Sequence, residues 1–85
     1  MRHVVGGRDQ AAISIRTVAA DALAFGAVGV VIAHNHPSGS VTPSARDVTF
    51  TRALAAGLRT LEVVLLDHLV IAGVQVTSLR AMGVI

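Results

Sequence analysis

The sequence contains no cysteine, no tryptophan, no tyrosine and no lysine, and only two phenylalanines and two prolines. Without cysteine there are no disulfides and no thiolate ligands, so any metal must be held by nitrogen and oxygen. Without tryptophan or tyrosine there is little on which unpaired bases could stack. All seven basic residues are arginines, scattered at 2, 8, 16, 46, 52, 59 and 80. The pI near 11.2 therefore reflects arginine in place of lysine more than a charge excess, because the formal charge is only +2. No basic stripe is present, so direct nucleic-acid binding is not expected.

Charge is also scarce: 14% of residues are charged and 53% are hydrophobic. That composition excludes a disordered segment, which needs low hydrophobicity and high charge. It does not indicate a membrane span either. The longest apolar and glycine run covers 12 residues, 22–33, and stops at His34. A bilayer span needs roughly 20. No charged-then-apolar leader opens the sequence, and a cytoplasmic location is the expectation.

Eighty-five residues make one domain, taken here as 1–85. A chain this short buries only about 60–65% of its unfolded surface. So apolar a composition means either very efficient packing or apolar surface meant for a partner, a second copy of the chain included.

Hydrophobic periodicity and turn residues give the order β-β-α-β-α-β-β, an α/β (α+β) layer fold. Residues 3–5 and 12–15 read as short strands, with Gly6-Gly7-Arg8-Asp9 as a turn between them. Thr17 is the expected N-cap of an alanine-rich helix over 18–24, ended by Gly26 and Gly29. The β-branched run 28–33 is a buried central strand. A loop over 34–41 leads to a helix capped by Thr42, with Pro43 at its first position and Gly57 as its stop. Residues 61–71 and 74–78 are strands joined by Ala72-Gly73, and the tail 79–85 is irregular.

The informative segment is His34-Asn35-His36-Pro37-Ser38-Gly39, followed by Pro43-Ser44-Ala45-Arg46-Asp47. Two histidines at i and i+2 leaving an extended strand put both rings on one side, with Asn35 on the other. Ser44 and Asp47, three apart on a helix, share a face. If that face meets the strand end, Asp47 adds a third, anionic ligand. Two imidazoles and a carboxylate suit Zn²⁺ with an open fourth position for water. Ser44 is placed to donate a hydrogen bond to a developing oxyanion. The plainer readings are a solvated histidine pair, an aspartate complementing the helix dipole and a capping serine. The combination on one strand-loop-helix frame is more specific than its parts.

This pattern resembles the JAMM metalloprotease motif of the MPN (JAB) domain family. Pro37-Ser38-Gly39, Pro43-Ser44 and the later Leu66-Asp67-His68 resemble its bacterial RadC branch, and the likeness spans about 6–85. The resemblance implies an MPN/JAB-like mixed sheet with flanking helices. It implies His34, His36 and Asp47 as zinc ligands and Ser44 as the serine that assists the tetrahedral intermediate. It also calls for a glutamate base upstream of the histidines. None of the 33 preceding residues is glutamate, and the sole one, Glu62, follows the motif. Asp9 and Asp21 are the upstream carboxylates, and both read as solvated. The resemblance thus implies an MPN domain short of its first strand, with a metal site and little hydrolysis.

Asp67-His68 reads either as a carboxylate orienting an imidazole beside the site or as a structural hydrogen-bonded pair within a strand. His3 is isolated and reads as a surface residue. Three functions compete: a zinc-dependent hydrolase of peptide or isopeptide bonds, a silent fragment serving as an interaction or dimerisation module, and a DNA-repair accessory. The intact ligand set favours the first, and the missing glutamate with surplus apolar surface favours the second. Only the RadC label, an analogy, favours the third.

Overall fold

The computed structural model describes residues 2–7 through their backbone, and 14–36 and 39–85. Along them run β1 (Arg2–Gly7), α1 (Ile15–Phe25), β2 (Gly29–Asn35), α2 (Ala45–Arg59), β3 (Val64–Ala72) and β4 (Gln75–Ser78). The sheet order is β1-β2-β3-β4, with the first three strands parallel and β4 antiparallel to β3. The expected mixed sheet with helices, an α+β fold, is what forms.

Several boundaries differ from the sequence reading, each for a local reason. The first helix starts at Ile15, not after Thr17, because the Ser14 hydroxyl accepts the Thr17 N–H at 3.1 Å and caps it. That places Ser14 and Ile15 in a cap and a helix rather than a strand; Ala12 lies outside the described residues, as do Arg8 and Asp9 of the expected turn. Gly26 ends α1 in the left-handed region at φ 62°, where glycine carries no side-chain penalty. Gly29 belongs to β2, not to the helix end.

The second helix is capped by Ser44, not Thr42. The Ser44 hydroxyl accepts the Asp47 N–H at 3.0 Å, and Asp47 Oδ2 accepts the Ser44 N–H at 2.8 Å. This capping box satisfies two otherwise orphaned donors and fixes the start two residues later than a Pro43 start would. Nor does Gly57 stop α2, which continues to Arg59. A Cβ at Gly57 would stand 3.5 Å from Ile15 Cγ2, an ordinary contact, so α2 passes Gly57 beside α1 with room to spare for a small side chain.

The two parallel crossovers step the same way across the sheet, and their usual right-handedness puts both helices on one face. Val18 and Ala22 of α1 and Leu54 and Leu58 of α2 accordingly meet Val30, Ile32 and Leu65 in one buried cluster. The tail is irregular but packed: Leu79 is fully buried and its N–H donates to His68 O at 3.0 Å. Among the described residues no helix is long and apolar enough to cross a membrane.

One irregularity interrupts the β2–β3 ladder. Val30 pairs with Leu65 and Val31 with Asp67, so Leu66 is an extra residue, a β-bulge. Before it Leu65 is buried; after it the buried positions are His68, Val70 and Ala72. The bulge shifts the inward parity of β3 by one.

Candidate metal centre

Val30, Ile32 and His34 alternate along β2 and face the helices. The strand thus ends by replacing an apolar side chain with an imidazole on the same face. His36 follows one step beyond the strand, held in extended register by its N–H donating to Ile71 O at 2.9 Å. The His34 and His36 rings have centroids 4.9 Å apart. The α2 N-terminus stands over this carboxyl end of the sheet, the usual place for ligands in α/β sheets. Asp47, third residue of α2, is 1% exposed there.

His34, His36 and Asp47 each present a ligand atom within 4.8 Å of the others. His34 Nε2 lies 3.7 Å from Asp47 Oδ1, and His36 Nε2 lies 3.0 Å from Asp47 Oδ2. Nitrogen and oxygen ligands at about 2.0–2.1 Å from one tetrahedral ion would stand about 3.3 Å apart, between these two separations. The donor chemistry agrees. His36 Nδ1 lies 2.8 Å from Ser40 O, a carbonyl that only accepts, so that nitrogen carries the proton. In the neutral ring Nε2 then points a lone pair at a carboxylate oxygen. Two acceptors facing each other at 3.0 Å need a cation between them, a proton or a metal ion. The residues present therefore fit a divalent metal.

Burial pushes the Asp47 carboxyl up, but the Ser44 backbone and side-chain hydrogen bonds, with His34 and His36 nearby, outweigh it. The group sits below the usual carboxylate range and is anionic at neutral pH. The positive end of α2 works in the same direction.

Behind His34 lies a buried polar chain. His34 Nδ1 is 2.7 Å from His68 Nε2, and His68 Nδ1 is 2.6 Å from Thr51 Oγ1. The Thr51 hydroxyl donates to Asp47 O at 2.6 Å. Phe50 packs edge-on against His68 at 6.4 Å. Burial, and then the neighbouring His34, lowers the His68 pKa to about 4 despite the opposing pull of Asp47 and Asp67, so the ring is neutral.

The structure thus brings together the three residues expected as ligands, His34, His36 and Asp47, as a possible metal site. Ser44 stands beside them as the cap of α2, its side-chain oxygen accepting from Asp47 N–H. Asp67 and His68 are not a side-chain pair. Asp67 accepts from His68 N–H at 2.7 Å, Arg80 N–H at 3.1 Å and Ser78 Oγ at 2.5 Å on one side of the sheet. The His68 ring leaves on the other, toward His34. Thr51 carries no signal of its own in the sequence, although it lies one helical turn after Asp47. Asn35 is exposed, facing away as expected. Glu62 is exposed in the turn beyond the far end of α2. Fifteen helical residues, about 22 Å, separate that end from Asp47's end. Asp9 lies outside the described residues.

Comparison with known proteins agrees with this geometry. A family of RadC-like JAB domains matches residues 2–84. A UPF0758 protein of Cupriavidus pinatubonensis is 49% identical over 78 residues, covering 92% of this chain and 34% of its own length. A UPF0758 protein of Chloroflexus aggregans is 40% identical over 80 residues, covering 94% of this chain and 35% of its own length. One from Bordetella petrii is 42% identical over 76 residues, covering 89% and 34%. The chain spans about a third of the length of the curated relatives it matches. With a family match over nearly its whole length and a His-His-Asp group of metal-binding geometry, this chain belongs to the RadC-like JAB domain family.

Proposed function

We propose that the domain is a JAMM-type hydrolase of peptide or isopeptide bonds that uses zinc. The observation that carries this reading is the convergence of His34, His36 and Asp47 within 4.8 Å at the carboxyl end of the sheet. A zinc ion held there supplies Lewis acidity and an activated water at neutral pH. The protein's own residues do the rest. Asp47, anchored by the capping box, fixes the anionic ligand to a rigid helix start. His36 is oriented by Ser40 O. Ser44 turns its hydroxyl hydrogen to the oxyanion that develops as the carbonyl is attacked, while its oxygen keeps the cap.

Moving a proton from the attacking water to the leaving amine needs a carrier that acts first as base and then as acid, and positioned acid–base groups contribute about 10²–10⁴-fold. No glutamate precedes His34 in this sequence, so turnover by the 85-residue chain is expected to be slow. The test is cleavage of peptide and isopeptide-linked substrates at high protein concentration with added zinc. Cleavage stopped by a chelator and by Asp47→Ala, and slowed about 10²–10³-fold by Ser44→Ala, supports the reading. No chelator-sensitive cleavage of either bond type overturns it.

A second reading, an interaction module, is favoured by one observation. Val28 and Val64 are 62% and 55% exposed and adjoin across a ladder bond, Val64 N–H to Val28 O at 2.9 Å. Leu23 and Phe25, in the last turn of α1, are also exposed. Sedimentation equilibrium of the chain tests self-association through this surface: a monomer at high micromolar concentration removes the support.

A further inference from the structure

The directions of the buried hydrogen bonds can be fixed one after another. Asp47 O is a carbonyl and only accepts, so the single hydrogen of the Thr51 hydroxyl, 2.6 Å away, is committed to it. Thr51 Oγ1 must then accept from His68 Nδ1, 2.6 Å away. In the neutral imidazole the other nitrogen, Nε2, is an acceptor. It lies 2.7 Å from His34 Nδ1, so that proton belongs to His34. His34 Nε2 is left with its lone pair, on the side where Asp47 Oδ1 and His36 stand.

We propose that His68 and Thr51 are positioning residues that lock His34 in its Nδ1-protonated tautomer. Nε2 is thereby set as a metal-binding atom before any ion arrives. The chain closes on itself. It begins at the backbone carbonyl of Asp47 and ends at His34, so two ligands are held relative to each other by side chains that touch no ion. A metal-bound histidine commonly gives its second N–H to a carboxylate, a carbonyl or water. Here the acceptor is another imidazole, itself fixed by a threonine.

The β-bulge makes this arrangement. With Leu65 facing inward, regular alternation would turn Asp67 inward and His68 away. The extra residue Leu66 reverses that and delivers the His68 ring to His34. Two features hold the bulge. The Arg80 guanidinium donates to Leu66 O through Nε and to Leu65 O at 2.9 Å. Gly29 leaves room for the Leu66 side chain, because a Cβ there would lie 2.9 Å from Leu66 Cδ1. Arg80, Gly29 and Leu66 thus act on the metal site from the opposite side of the sheet.

The proposal rests on the metal-site reading, and its test separates the two. Long-range ¹H–¹⁵N correlation on the metal-free chain, with ¹⁵N-labelled histidine at neutral pH, reads the His34 tautomer directly. A proton on Nδ1 is expected; a proton on Nε2 overturns the proposal. Zinc affinity by chelator competition is the second readout. Thr51→Val and His68→Phe are expected to lose about 10–100-fold with the fold retained by circular dichroism. His68→Gln, whose amide can both accept from His34 and donate to Thr51, is expected to recover most of that loss. Affinity of folded His68→Phe equal to wild type overturns the proposal. If His68→Phe does not fold, Thr51→Val and the wild-type tautomer spectrum decide. Failure of the wild type to bind zinc would defeat the hydrolase reading, and the tautomer spectrum alone then decides this one.

Discussion

Two halves of one layer are built from the same elements in opposite chemistry. Toward the amino end of the parallel strands, Val30, Ile32 and Leu65 meet Val18, Ala22, Leu54 and Leu58 with no polar group among them. Toward the carboxyl end, His34, His68, Asp47 and Thr51 fill the same interface between sheet and α2, each no more than 2% exposed. The apolar half is stabilised by area removed from water, about 25 cal/mol per Å², and needs no particular geometry beyond fit. The polar half gains nothing by burial. It is tolerated because each group is tied to the next, from Asp47 O through Thr51 and His68 to His34. One half carries stability, and the other spends some of it on a constellation of candidate ligands.

Substitutions in the two halves should therefore fail differently. The largest effect belongs to the apolar half. Leu54→Ala should lower the unfolding free energy of the metal-free chain by about 2–5 kcal/mol in urea melts. Molecules that remain folded should bind zinc as before; weakened binding would mean the halves are not separable.

Next comes the pH response of the polar half. The native His68 pKa is lowered from 6.5 to about 4, so between these values the unfolded chain binds more protons than the native one. Stability is intact above pH 6.5, falls as the pH drops, and has lost about 3 kcal/mol by pH 4. His68→Gln should flatten this slope in urea melts between pH 7 and 4. The Asp47 contribution sits lower: it is present above the carboxyl's ordinary 3.8 and lost as the pH falls below that.

A smaller effect is expected from Asp47→Ala, which removes the acceptor of the Ser44 N–H and the carboxylate facing His36. About 1–3 kcal/mol should be lost in the same melts, together with metal binding. Ser44→Ala, which removes only the cap acceptor, should cost about 1 kcal/mol and leave zinc affinity nearly unchanged. Smallest is Val64→Thr on the exposed patch, expected within about 0.5 kcal/mol. A larger loss there would show that this surface belongs to the stable core.

The candidate ligand set is legible in the sequence because it depends on local periodicity. Alternation along β2 puts His34 and His36 on one side, and a helix start puts Asp47 near its cap. The cap lies two residues beyond the position its sequence signature marks. Thr42-Pro43 carries the usual signature of a first turn, but the reciprocal bonds of Ser44 and Asp47 satisfy two donors and win. Gly57 read as a stop because glycine costs a helix interior about 1 kcal/mol. The burial of Leu54 and Leu58 on either side of it carries the helix through that cost. Thr51 and His68 were out of reach for a different reason. The partners His34 and His68 are 34 residues apart. Their meeting depends on a one-residue bulge that no alternation of apolar residues in β3 announces.

Zinc content of the purified, chelator-stripped and reloaded chain is the most direct measurement of the central claim, taken beside His34→Ala and Asp47→Ala. The account predicts one ion per wild-type chain and none in either folded variant. A folded wild type without zinc, or an Asp47→Ala variant that keeps a full equivalent, would contradict it.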